Sequence, residues 1–161
     1  MLLCSHSLSS RAVRLHAFLS SLATLALALG TPSAHAQMPR IELSAGLNRI
    51  EAEVAANMSD RMQGLMHRQS LPANHGMLFV YPQAQTHCMW MRNTLIPLSV
   101  AFLDDSGRII NIADMKPHSE ENHCAAAPAR FALEMNKGWF SSKGIRPGQK
   151  ISGLDKTPPP R

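Results

Sequence analysis

The feature that most constrains this chain is its division into strand-length apolar runs separated by turn residues. Ile41-Glu42-Leu43 and Ile50-Glu51-Ala52-Glu53-Val54 alternate apolar and acidic positions, as half-buried strands do. Met77-Leu78-Phe79-Val80-Tyr81 is continuously apolar, the pattern of a strand covered on both sides. His87 to Arg92 forms another strand, with Cys88, Trp90 and Arg92 on one side and His87, Met89, Met91 and Asn93 on the other. Leu98–Leu103 and Arg108–Ala113 flank Asp104-Asp105-Ser106-Gly107, a hairpin signal. Phe131–Met135 and Gln149–Ser152 complete the set, the latter after the Pro147-Gly148 turn. The expected fold is mainly β: a compact sandwich-like or barrel-like single domain with one short helix.

That helix spans roughly residues 59–68. Ser59-Asp60 reads as an N-cap followed by an acid suited to the helix dipole. Met62, Leu65 and Met66 recur at helical spacing, and Arg61, Gly64 and Arg68 form a second stripe beside them. Gly64 costs about 1 kcal/mol against Ala in a helix interior, which suits a close approach of backbone or ligand there.

Ahead of the strands lies a segment of a different kind. Residues 1–36 read as a secretory signal peptide: Arg11 and Arg14, an apolar run from Ala17 to Leu29, Gly30 and Pro32, then Ala34-His35-Ala36 as the cleavage pattern. The run is shorter than the roughly 20 residues a membrane span needs, so cleavage is favoured over an anchor or a buried helix. Cys4 precedes the run and is no lipoprotein cysteine. The expected location is periplasmic or secreted, with no stable membrane insertion after cleavage. A β-rich domain then covers 37–154 and a Pro-rich tail covers 155–161, extended and frayed. Losing Arg11 and Arg14, and no acid, lowers the net charge from +5 to +3. The remaining basic residues never stand side by side, so no nucleic-acid partner is expected.

Of the 3 cysteines, Cys88 and Cys124 follow the leader, and an oxidising compartment favours a disulfide between them. It would close a loop of about 36 residues, worth roughly 3–4 kcal/mol on the chain-entropy account. Free thiols, or a mixed metal site with the adjacent His87 and His123, are the alternatives. Free Cys88 or Cys124 beside His87, His118 or His123 would also offer a nucleophile and base.

Arg61-x-x-Gly64-Leu65-Met66-x-Arg68-x-x-Leu71, Gly76-Met77-Leu78-Phe79, Trp90-Met91-Arg92-Asn93-Thr94-x-Ile96-Pro97-Leu98, Leu133-Glu134-x-Asn136-x-Gly138 and Gly144-Ile145-x-x-Gly148 occur in order. With these blocks the chain resembles the domain of unknown function 192 family, over roughly Ile41 to Leu154. The resemblance implies a mostly β, sandwich-like domain with little helix, often exported in bacteria, and it implies no established activity. Ser99 stands where the family pattern usually carries Asp, so a carboxylate role at that position has no residue here.

Chemistry-bearing residues gather around the Trp90–Thr94 block. Asn93 and Thr94 both donate and accept hydrogen bonds. With Arg61 and Arg68 they would grip a small anionic or carbonyl-bearing ligand, Trp90 serving as a platform. Glu134 enters as an ion-pair partner for one of those arginines. The bland alternatives are structural ion pairs, a turn held by Asn93 and Thr94, and a core tryptophan.

Three functions follow. The leading one is an exported binding or accessory module with a polar pocket between the helix and the Trp strand, for an unidentified small molecule or envelope component. A hydrolase-like envelope enzyme using the same pocket is second. Periplasmic copper or zinc binding is third: all but Met1 of the 10 methionines lie after residue 36, and thioethers suit Cu(I). His87, Met89 and Met91 are its best donors, with Met62, Met66 and Met77 as neighbours, against the alternative that methionines fill core gaps. His118, Glu120, Glu121 and His123 form a polar loop with loose ligand character, and Asp104 and Asp105 read as turn residues. No G-x-S-x-G, P-loop, H-E-x-x-H or dinucleotide motif occurs, no cofactor is implied, and no residue is assigned as catalytic or metal-ligating.

Overall fold

The structure, a computed structural model, describes residues 37–161; the signal-peptide reading of 1–36 lies outside the described residues. Two strands open the fold, β1 (Arg40–Ala45) and β2 (Asn48–Ala55), followed by helix α1 (Met58–Gln63). Next come β3 (His75–Gln85), the two-residue β4 (Cys88–Met89), β5 (Leu98–Leu103) and β6 (Ile109–Met115). The two-residue β7 (His123–Cys124), β8 (Ala129–Asn136), helix α2 (Trp139–Ser142), β9 (Ile151–Ser152) and a 3-10 turn at Leu154–Lys156 complete it.

Seven strands form one sheet in the order β6-β5-β8-β3-β2-β1-β9. Every pair in it is antiparallel except β2–β3, whose parallel pairing runs from Glu51 opposite His75 to Ala55 opposite Phe79. Parallel neighbours need a crossover, and the segment carrying α1 supplies it. The two edges approach each other: Arg108 and Lys150 form a bridge, and the Ile109 N–H donates to the Gln149 carbonyl. The sheet is thus a curled half-barrel, which leaves few free edge groups. β4 and β7 form a separate small ribbon.

The central strands are buried on both faces, as the unbroken Met77–Tyr81 run predicts. Leu78, Val80, Ala101, Leu103 and Leu133 turn to one side, where α2 seals the cluster with Trp139 and Phe140. Met77, Phe79, Val100, Phe102 and Ala132 turn to the other, covered by Leu65, Met89, Met91 and Ile96 from the connections.

Several expectations need correction. There are two short helices, not one; α2 has only four residues, too few for a periodic signal. Asn57, not Ser59, caps α1, its side chain accepting from the Asp60 N–H at 2.8 Å. The helix stops at Gln63 because Gly64 adopts φ 50°, ψ −136°, a region open in practice only to glycine. A Cβ on Gly64 would also sit 3.2 Å from the Phe79 ring. The expected strand His87–Arg92 is real only at Cys88–Met89; beyond it the chain turns, and Met91 is buried among loop residues. The Pro-rich tail is not frayed, since the Arg161 N–H donates to the Ala56 carbonyl at 2.8 Å.

Candidate functional site

A cleft of about 320 Å³ opens on the loop-covered side of the sheet. One wall is α1 and the turn after it; the other is the β4 ribbon and the Trp90–Thr94 turn. β3 and β8 supply the floor with Phe79, Tyr81 and Glu134. Its rim is apolar in an unusual way. Among the described residues the exposed large hydrophobic side chains are Leu47, Met58, Met62 and Trp90, and the last three all border this cleft. Met62, which helical spacing groups with Leu65 and Met66, is therefore not on a buried helix face: α1 buries none of its residues.

The floor holds the most perturbed acid of the described residues. Glu134 is 3% exposed and makes no hydrogen bond or ion pair with another described residue. Burial pushes its carboxyl up to about 8, so at neutral pH most of it is the uncharged acid, able to donate as well as accept. A glycine makes room for its strand: a Cβ on Gly76 would lie 2.5 Å from the Glu134 carbonyl. Next to it, burial raises the Tyr81 phenol above its ordinary value, and the Glu134 carboxyl adds to the effect. The Tyr81 hydroxyl donates to the Met89 sulfur at 3.2 Å, and its ring stacks on His87 with centroids 3.6 Å apart.

Of the residues selected from sequence, Arg61, Trp90, Thr94 and Glu134 do meet at this cleft. Their roles differ from expectation. Arg61 is spent on main chain, with Nη1 donating to the Ala56 and Val80 carbonyls at 2.6 and 3.0 Å and Nη2 to the Arg161 carbonyl at 3.0 Å. It pins α1 to β3 and to the tail and offers no free fork for an anion. Arg68 lies elsewhere, paired to Glu53 through both Nη atoms at 3.1 and 2.5 Å. Gly64 ends the helix between the two arginines, so the stripe that would align them does not form. Glu134 pairs with neither.

Asn93 is also absent from the cleft. It is exposed, sits at φ 56°, and its carbonyl accepts from the His67 N–H at 2.9 Å. Thr94 is buried and its hydroxyl reaches the Arg92 carbonyl at 3.4 Å, so the turn-holding alternative describes this residue. The Thr94 carbonyl accepts from the His118 N–H. Trp90 is 45% exposed, with the Arg92 guanidinium 5.7 Å from its ring; it is no core residue.

Cys88 and Cys124 are directly opposite each other in the β4–β7 ribbon and form a disulfide, S–S 2.05 Å. The bond removes both thiols as nucleophiles and metal ligands. The expected donor face of His87, Met89 and Met91 does not assemble, because His87 lies on Tyr81 and Met91 is buried. Among the described residues no group of three or more His, Cys, Asp or Glu side chains is placed to hold a metal ion. Asp104 is a turn residue as read, its carboxylate accepting from the Ser106 and Arg108 N–H groups at 2.8 and 2.9 Å. At Ser99 a carboxylate is still near: the hydroxyl donates to Asp114 Oδ1 and accepts from the Gly138 N–H.

Two further residues of this site carry a signal in the sequence. Met58 stands four residues before Met62, in the spacing Met58-x-x-x-Met62-x-x-x-Met66. Tyr81 is the one tyrosine of the chain, and strand patterning accounts for it without pointing to the cleft.

A family model described as an uncharacterized ACR, the domain of unknown function 192, matches residues 40–153. The chain belongs to that family. No curated protein matches it. Among solved structures it is similar to a candidate transcription regulator from Sinorhizobium meliloti 1021, with 34% identity and a TM-score of 0.67 over 71% of this chain and 92% of that one. It is also similar to a protein of unknown function from Novosphingobium aromaticivorans DSM 12444, with 32% identity and a TM-score of 0.65 over 76% and 89% of the two chains.

Proposed function

We propose that the protein is an exported, non-catalytic binding module that captures a small ligand in the Met58–Trp90 cleft through soft and uncharged groups. The observation that carries this reading is the meeting of an exposed Met58, Met62 and Trp90 rim with the nearly buried Glu134 residue at the floor. Apolar pockets with a few convergent polar groups are the usual form of small-ligand sites. The Glu134 carboxyl borders the cleft and is bonded to no other described side chain, so it is free to meet a ligand there. The arginine-gripped anion is no part of this proposal, since both guanidinium groups are engaged. The signal-peptide pattern and the cysteine pair support export.

A thermal-shift screen of small metabolites against the purified protein tests the reading, with Trp90→Ala and Asn93→Ala in parallel. Trp90 borders the cleft and Asn93 does not. Hits should vanish in Trp90→Ala and persist in Asn93→Ala; hits that survive Trp90→Ala defeat the cleft as the binding site.

A further inference from the structure

We propose that the ligand of this cleft is a soft monovalent metal cation of the Cu(I) class, held by the thioethers of Met58, Met62 and Met66, with Met89 facing them from the opposite wall. This inference rests on the binding-module reading above and names its ligand. The first observation is spacing. Met58 and Met62 fall at i and i+4, so α1 brings these two side chains to one side, and Met66 reaches the same cleft from the turn after the Gly64 break. The second is placement. All three, and Met89 from the opposite wall, border the same cleft.

The third observation is exposure. Met58 is 69% exposed and Met62 68%. Methionine usually serves as a flexible filler of core gaps, and neither residue fills one. For an apolar ligand alone, leucine would line the rim as well; what methionine adds is a polarizable sulfur donor. Thioethers select Cu(I) over harder divalent ions, and the absence of a His, Cys, Asp or Glu triad among the described residues points the same way. The disulfide keeps thiolates from competing.

Trp90 borders the cleft from the wall opposite α1, with the Arg92 guanidinium 5.7 Å from its ring. The Arg61 guanidinium, on the α1 wall, donates to three main-chain carbonyls. The bound ion is a cargo; no electron transfer is involved.

The test uses Ag(I), a soft monovalent ion that needs no reductant and so leaves the disulfide intact. Purified protein is titrated with silver nitrate in chloride-free buffer, Trp90 fluorescence is followed, and metal retained after gel filtration is measured. About one retained equivalent with Trp90 quenching is expected, and Trp90→Phe should lose the optical signal. Met58→Leu/Met62→Leu keeps both positions apolar on an exposed helix face, so it should fold normally while binding weakens by more than about tenfold. No retained silver, silver retained equally by the double variant, or equal retention of Zn(II) overturns the proposal. Thermal-shift hits that need Trp90, in a protein that ignores silver, would leave the binding module standing and remove only the cation. Neither hits nor silver would remove both.

Discussion

The two faces of the half-barrel are covered in different ways. On one, α2 follows β8 directly and drops Trp139 and Phe140 onto the sheet at right angles to each other, the Trp139 Nε1 donating to Asn74. On the other, the cover is irregular chain from several connections, stapled by Cys88–Cys124. Among the described residues the non-glycine residues at positive φ are His67, Asn93 and His118, and all belong to this second cover. They are wired together, His67 to the Asn93 carbonyl and His118 to the Thr94 carbonyl. Strained backbone persists only where surrounding contacts over-determine it. One face is therefore a packed core; the other trades regular packing for a shaped opening.

The largest expected effect tests the sealed face. Phe140 is 1% exposed, and Phe140→Ala should cost about 3–5 kcal/mol in urea denaturation without changing which ligands bind. A loss below about 2 kcal/mol would mean that α2 is not the seal described here.

The staple comes next. Replacing Cys88 and Cys124 by Ser should cost about 3–4 kcal/mol on the loop-entropy account. Hydrogen exchange should rise mainly in residues 86–97 and 117–128, with the β3–β8 ladder still protected. Uniform loss of protection across the sheet would show that the two covers are not independent.

These two faces were unequally legible in the amino-acid sequence. The strands of the sheet announced themselves through alternation and turn chemistry: the Asp104–Gly107 turn lies where Asp, Ser and Gly predict it, and β5 and β8 match their apolar runs. The order of strands did not, because the β2–β3 pairing joins segments whose register is decided by long-range packing. The cover was read least well. Trp90–Arg92 has strand-like composition, yet Met91 is buried by a turn and not by a pleat. Glu134 was visible as a lone acid in the run Phe131–Met135, but only three dimensions show that no arginine reaches it. Arg61 and Arg68 share a stripe on paper, and one left-handed glycine separates them.

A smaller effect separates the floor of the cleft from the sealed core by pH. The folded-state carboxyl of Glu134 is raised to about 8 from 4.5, so the folded protein binds this proton more tightly than the unfolded chain does. That contribution is fully present below pH 4.5 and is lost as pH rises through about 8. Between those values the unfolding free energy should fall by an amount on the order of a few kcal/mol. Glu134→Gln should flatten that slope, as followed by urea midpoints across the range. An unchanged slope would place the carboxyl in contact with water or a cation and not in a dry floor.

The smallest expected change in stability falls on the residue with the largest expected effect on binding. Trp90 is 45% exposed and lies outside both core clusters, so Trp90→Ala should alter the urea midpoint by no more than about 0.5 kcal/mol. The same substitution should abolish every cleft-dependent thermal-shift hit. A large aromatic residue kept half in water contributes little to folding, which is what the proposed rim role requires of Trp90. If Trp90→Ala instead destabilises as strongly as Phe140→Ala, the indole is a structural lid, and the contrast between a sealed face and an open one fails at its most exposed point.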